Sequence, residues 1–295
     1  MKQYFHGADK RGPYFEGWYF KCQTRDGKAM ALIPAFHIDS GGQKSASIQV
    51  ITGSGTWWLD FLDSDFHASP DRLLIQVGSS VFWEAGLELD IRQDQISLHG
   101  RLSFGPFLPL QSDIMGPFRF LADMECAHGV ISMTHSIHGQ LVLNGEIFDF
   151  DGGTGYVETD RGRSFPSSYL WTQYSWQKNS LMLSIASIPL AKIRFTGCIC
   201  AIVYQGREYR IATYLGAKAE SWSHHGAVVR QGKYRLEVNL LEKQAQPLRA
   251  PTNGVMGRTI HESICAKLQY RFWIGENLLF DHTDVCASFE YAKTI

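Results

Sequence analysis

The feature that most constrains this chain is a succession of short aromatic and β-branched segments, cut at close intervals by turn signals. Asp26-Gly27 separates Tyr14–Cys22 from Ala29–His37, and Gly53-Ser54-Gly55 separates Ser45–Ile51 from Thr56–Phe61. Arg72–Val77, Val81–Glu84, Leu87–Arg92 and Ile96–Leu102 follow at similar spacing. In the second half, Lys178-Asn179-Ser180, Gln205-Gly206-Arg207, Gln231-Gly232-Lys233 and Gly275-Glu276-Asn277 each sit between two such segments. Turn residues between strand-like runs mark hairpins. Hairpins in series build antiparallel sandwiches or barrels. Few segments keep an apolar stripe at helical period. The sequence therefore predicts an all-β chain of two barrel-like or sandwich-like antiparallel modules. The 295 residues suit two modules, here placed at 1–150 and 151–295.

Composition narrows the function classes. Net charge is −1 and no basic run occurs, which argues against nucleic acid as a partner. The N-terminal MKQYFHGADKRGPYF lacks an apolar signal core, and no apolar run is long enough for a spanning helix. The six cysteines, at 22, 126, 198, 200, 265 and 286, show no CxxC or Cys/His zinc spacing. A cytoplasmic protein with reduced thiols and no metal is the expectation.

One stretch departs from the hairpin pattern. His138–Gln173 concentrates Glu146, Asp149, Asp151, Glu158, Asp160, Arg161 and Arg163 among several glycines. If extended, it places Tyr156, Glu158 and Asp160 on one face. It reads as a connection that joins the two modules and sets polar side chains at their junction, or as a solvated inter-sheet loop. Gly105–Cys126, with Pro106, Pro109 and Pro117, reads as a long irregular excursion with one short helix.

Within Tyr14–Cys22, alternation puts Tyr14, Glu16, Trp18 and Phe20 on one face and Tyr19 on the other. A carboxyl among aromatic rings favours the neutral acid, which suits a proton donor. The alternative is a strand-end carboxylate paired with Arg or Lys. Glu125 and His128 lie three residues apart at the start of Met124–His135 and converge if that entry is irregular. His135 and His138 fall on opposite strand faces, a poor metal site. Trp171 and Gln173 share a strand face and offer an apolar wall with a polar handle, although a β core also uses Trp.

YFEGWYFK (Tyr14–Lys21), MGPF (Met115–Phe118), MECAHGVISM (Met124–Met133), GGTGYVETDRGRSFP (Gly152–Pro166), WTQ (Trp171–Gln173) and LRAPTNGVMGRTIHES (Leu248–Ser263) together resemble the tocopherol cyclase family. The matches span most of the chain, in order. The resemblance implies two lipocalin-like β modules. It also implies an activity in which protonation of a prenyl double bond gives a tertiary cation that a phenol oxygen captures. Arg161 departs from the Trp usual in plant-type members.

The expectation is a cyclase or hydratase of a prenylated quinol or polyene lipid that needs no cofactor, with peripheral membrane contact for substrate uptake. Its candidate catalytic residues are Glu16, Glu125, His128, Glu158 and Asp160. Its candidate substrate contacts are Trp18, Tyr19, Tyr156, Trp171 and Gln173. The competing expectation is a lipocalin-type lipophile-binding protein without chemistry. Oligomeric state is left open.

Overall fold

The structure, a computed structural model, describes residues 3–93, 95–120, 124–190, 193–243 and 245–293. Strands hold 70% of the residues and helix 4%, so the expected all-β class holds. The first sheet comprises β1 (Tyr14–Gln23), β2 (Ala29–Ile38), β3 (Lys44–Thr52), β4 (Thr56–Leu62), β5 (Phe66–Ala68), β6 (Leu74–Val77), β7 (Ser80–Trp83), β8 (Gly86–Gln93), β9 (Ile96–Phe104), β10 (Cys126–Leu143), β11 (Glu146–Asp149) and β12 (Gly153–Gly162). The second comprises β13 (Ser168–Trp176), β14 (Asn179–Leu190), β15 (Ile193–Tyr204), β16 (Arg207–Ala212), β17 (Lys218–Ser223), β18 (Gly226–Gln231), β19 (Tyr234–Glu242), β20 (Gln246–Thr252), β21 (Val255–Ile274) and β22 (Asn277–Lys293).

The described strand pairings are antiparallel. The first sheet runs β4-β3-β2-β1-β12-β10-β9-β8-β7-β6-β5, with β11 on β10. The second runs β16-β15-β14-β13-β22-β21-β19-β18-β17, with β20 on β21. Among the described residues no closed barrel is detected. No described helix is long and apolar enough to cross a membrane.

Two compact units emerge. The first holds residues 1–109, 126–165 and 249–258; the second holds 110–125, 166–248 and 259–295. The first division after β12 thus follows Phe165, later than residue 150. The reason is β12 itself. The stretch read as a connection is an interior strand, paired along its length with β1 and, with register shifts, with β10. Its glycines serve that pairing. A Cβ on Gly153 would lie 2.4 Å from the Gln23 carbonyl oxygen, and one on Gly155 would lie 2.2 Å from His135 Nε2. Only glycine permits both approaches.

The first unit's core follows from alternation on β1, β2 and β3. Trp18, Phe20, Met30, Leu32, Ile48 and Val50 are all buried in one cluster. Each such side chain contributes about 1.5–3 kcal/mol by leaving water. The second unit repeats the habit with Leu170, Leu183, Val229, Leu268, Phe272 and Phe289. The hairpin Arg249–Arg258 belongs to the first unit. There the Gln49 side-chain amide donates to the Arg249 carbonyl oxygen (3.1 Å) and accepts from its N–H (2.9 Å).

Candidate functional site

The register of β1, β12 and β10 decides which side chains meet. Phe20 pairs with Val157, Trp18 with Thr159 and Glu16 with Arg161. That set shares the core-facing side of the sheet with the buried cluster. Tyr19 pairs with Glu158, Gly17 with Asp160, and Asp160 with His128 across to β10. These residues lie on the reverse side, because successive strand residues point to opposite faces. Tyr156, Glu158 and Asp160 do share one face, as alternation predicts. Glu16 faces the other way.

On the reverse side the polar groups form a chain. His128 Nδ1 lies 3.0 Å from Asp160 Oδ1, and Nε2 lies 3.4 Å from Glu158 Oε2. Tyr156 donates its hydroxyl to the same Glu158 oxygen. The Cys126 thiol lies 3.5 Å from Asp160. Burial increases along the path. Side-chain exposure is 23% for Asp160, 10% for His128 and 5% for Glu158, and Tyr156 is fully buried. Desolvation, reinforced by the Glu158 carboxylate, holds the Tyr156 hydroxyl well above the usual phenol range. Burial and the neighbouring Asp160 do the same for the Cys126 thiol. Tyr156 therefore keeps its proton and acts as a donor at neutral pH. His128, Glu158 and Asp160 offer ligand atoms within 4.8 Å of one another, an N/O set that could also hold a divalent ion. Of these atoms His128 Nδ1 is engaged by Asp160, whereas Nε2 makes the longer ion-pair contact with Glu158.

Glu16 is fully buried, yet its surroundings differ from the apolar pocket expected. Oε2 accepts from the His6 backbone N–H (2.8 Å) and the Tyr14 hydroxyl (2.9 Å), and Oε1 lies 2.8 Å from His6 Nδ1. Tyr14 is buried too, and desolvation followed by the Glu16 charge raises its hydroxyl far above the phenol range. The carboxylate ties the N-terminal segment to β1. Trp18, beside it, is enclosed by Phe5 and Phe66 at ring centroid distances of 6.2 and 6.5 Å.

Glu125, Trp171 and Gln173 belong to the second unit. Glu125 precedes β10, which begins at Cys126, so the condition on which Glu125 and His128 were to converge, an irregular entry, is not met at His128. Trp171 is buried and pairs with Glu290 across β13 and β22. Gln173 donates to Ser175 Oγ at 2.9 Å. Sequence reasoning missed Glu290. It is buried, accepts the Tyr169 hydroxyl and stands directly across from buried Glu262. Its setting, Phe289-Glu290-Tyr291, carries the same signal that drew attention to Glu16.

A further cavity of about 230 Å³ in the first unit is lined by His37, Asp39, Trp58, Asp60 and Arg249, among others. Burial holds the His37 imidazole down to about 4, and its Nε2 lies 2.8 Å from Ser47 Oγ. The Arg249 guanidinium sits 4.9 Å over the Trp58 ring. None of the predicted site residues lines this cavity.

No protein-family model matches the chain, and no curated protein sequence does. Solved structures do. An AttH protein of Nitrosomonas europaea aligns with TM-score 0.56 at 12% identity, over 96% of this chain and 93% of that one. CghA aligns with TM-score 0.60 at 10% identity, over 96% and 89%. CghA has also been solved with Sch210972. Kievitone hydratase from Nectria haematococca aligns with TM-score 0.56 at 10% identity, over 96% and 90%. At these identities the likeness is one of fold, and it supports at that level the resemblance seen in the sequence.

Proposed function

We propose that this protein is a cyclase or hydratase that works without a cofactor on an alkene of a prenylated quinol or polyene lipid. The observation that carries the reading is the chain Asp160–His128–Glu158–Tyr156, which leads from a partly exposed carboxylate to a buried one. Asp160 exchanges protons with solvent. His128, with one ring nitrogen toward each carboxylate, takes a proton at Nδ1 and releases one at Nε2. Glu158 in its acid form donates to the double bond, and the carbocation forms where water is scarce. The oxygen that captures the cation, a phenol of the substrate or a water, then loses its proton to solvent, and the Asp160–His128 path returns one to the Glu158 carboxylate. Cyclisation is thereby an isomerisation, and hydration consumes one water. Tyr156 and Tyr19 supply aromatic faces beside Glu158 for the cation. The low-identity neighbours, one of them named a hydratase, are consistent with such chemistry in this fold.

In this scheme Glu16 has a structural role and Glu158 the chemical one. Purified protein is incubated with prenylated hydroquinones and with linear polyenes, and products are separated by chromatography with mass detection. A product of unchanged mass marks cyclisation, and one heavier by a water marks hydration. Glu158→Gln is expected to lower turnover at least ~10²-fold with Trp quenching by the lipid retained, the scale for removing a positioned acid. Unchanged turnover in Glu158→Gln returns the role to Glu16, Glu125 or Asp160. Lipid binding with no turnover of any alkene by the unmodified protein would favour the lipocalin-type binding protein.

A further inference from the structure

Two cysteines in the second unit stand close enough to react with each other. Cys265 Sγ and Cys286 Sγ are 3.1 Å apart, on the neighbouring strands β21 and β22. A disulfide bond measures about 2.05 Å, so the two thiols are near but unbonded. Their proximity is not what the flanking ladder dictates. Ser263 pairs with Phe289 and Leu268 with Asp284. Continued without interruption, that register sets Cys265 opposite Ala287 and Cys286 opposite Ala266, which sends the sulfurs to opposite faces. The ladder shifts at Ala266↔Ala287. In the shifted register Cys265 stands opposite Ser288, and Cys286 becomes its diagonal neighbour on the same face. Diagonal neighbours lie within reach of each other's side chains. Irregularities of this kind re-aim side chains, and here one re-aims a thiol at a thiol.

The exposure of the pair is uneven. Cys286 is buried, whereas Cys265 is partly exposed. One sulfur can therefore meet an external oxidant and the other waits inside. The sulfurs need close by only about 1 Å to reach bonding distance. Cys22 and Cys200 are both fully buried, and burial is the main cause that raises their thiols.

We infer that Cys265 and Cys286 form a dithiol site that oxidises reversibly to an intramolecular disulfide. With oxidised glutathione the balance is complete. The Cys265 thiolate attacks one glutathione sulfur, the S–S bond breaks, and one glutathione leaves as thiolate. The Cys286 thiolate then attacks the Cys265 sulfur of the mixed disulfide and expels the second glutathione. The two protons lost by the cysteines end on the two glutathiones. The protein is oxidised by two electrons and the glutathione disulfide is reduced by two. Closure fixes the shifted register two residues from Ser288, which pairs with Gln173, and four from Glu290, which pairs with Trp171. The device therefore locks one polar strand segment of the second unit. It is independent of the proposed chemistry at Glu158.

The test uses the full chain, incubated with oxidised glutathione, alkylated, digested without reductant and mapped by mass spectrometry. A Cys265–Cys286 cross-linked peptide is expected, and reductant should restore both alkylated peptides. The cross-link should raise the melting temperature by on the order of 5 °C, because it constrains the unfolded chain. Cys286→Ala should instead accumulate the glutathione adduct on Cys265. Recovery of both cysteines as separate alkylated or glutathionylated peptides from the wild-type chain overturns the inference. So does a cross-link that joins either one to Cys126 or Cys198 in preference.

Discussion

Replacing Glu16 tests how this fold holds its N-terminal segment. Three donors converge on the carboxylate: the His6 N–H, His6 Nδ1 and the Tyr14 hydroxyl. Glu16→Ala removes every acceptor at once. His6 is 25% exposed at its side chain, so its ring can turn to water, whereas the Tyr14 hydroxyl and the His6 N–H lose their acceptor within the protein. Each unsatisfied buried group costs about 1–3 kcal/mol, so the expected loss is about 4 kcal/mol with the cavity included. Glu16→Gln keeps one oxygen where Oε2 sits and can hold two of the three donors. Its loss should be about 1–2 kcal/mol, the charge assistance of the bonds. Tyr14→Phe removes one donor and no acceptor, and should cost about 1 kcal/mol. The double variant Glu16→Ala/Tyr14→Phe should then be less destabilised than the sum of the singles by about 1–2 kcal/mol, since the orphaned hydroxyl is gone. Urea unfolding at pH 7, followed by Trp fluorescence and extrapolated linearly, measures all four. Equal losses for Ala and Gln, or an Ala loss below about 1 kcal/mol, would refute the structural assignment.

Two further outcomes follow from buried groups. Burial lowers the folded-state imidazoles of His37 to about 4 and of His135 to about 3, against 6.5 when solvated. The unfolded chain then binds more protons below pH 6.5, so stability present at pH 7 is lost as pH falls toward those folded values. About 3 kcal/mol should disappear between pH 6.5 and pH 5, and His37→Gln should remove about half of that dependence; stability unchanged over that range would contradict both shifts. Gly155→Ala places a methyl against His135 Nε2 and should cost about 2–3 kcal/mol in thermal or urea unfolding, relieved in part by His135→Ser; a neutral Gly155→Ala would mean that His135 can move aside.

Much of the fold was legible because hairpin turns are local. Asp26-Gly27, Gln205-Gly206 and Gly275-Glu276-Asn277 lie where the strands reverse. The error over His138–Gln173 has a physical origin. An interior strand that carries Glu158 and Asp160 on one face and three glycines at its start looks like a loop until its partners are known. One of those partners, β1, lies far from it in sequence, and no local signal announces such long-range pairing. Cys265 and Cys286 were equally opaque. Their approach depends on a one-residue register shift at Ala266↔Ala287 within β21 and β22, which changes locally which side chains share a face.

The same consideration divides the candidate residues. Alternation within β1 correctly separates Glu16 and Trp18 from Tyr19, and alternation within β12 correctly joins Tyr156, Glu158 and Asp160. Neither strand alone says which face of one meets which face of the other. The pairings Glu16↔Arg161 and Tyr19↔Glu158 supply that answer, and they put the two leading carboxylates on opposite sides of one sheet. A β-sheet one residue thick cannot bring both to one reacting atom, so they are competitors for the role of acid. Glu16 has its oxygens engaged by donors from Tyr14 and His6, groups that anchor the chain. Glu158 has a histidine that reaches on to a more exposed carboxylate. Glu16 also touches a partly exposed histidine, His6, but two further donors hold the same carboxylate in place. The path from Glu158 instead ends at a partly exposed carboxylate, and that difference is the ground on which the acid role is proposed for Glu158.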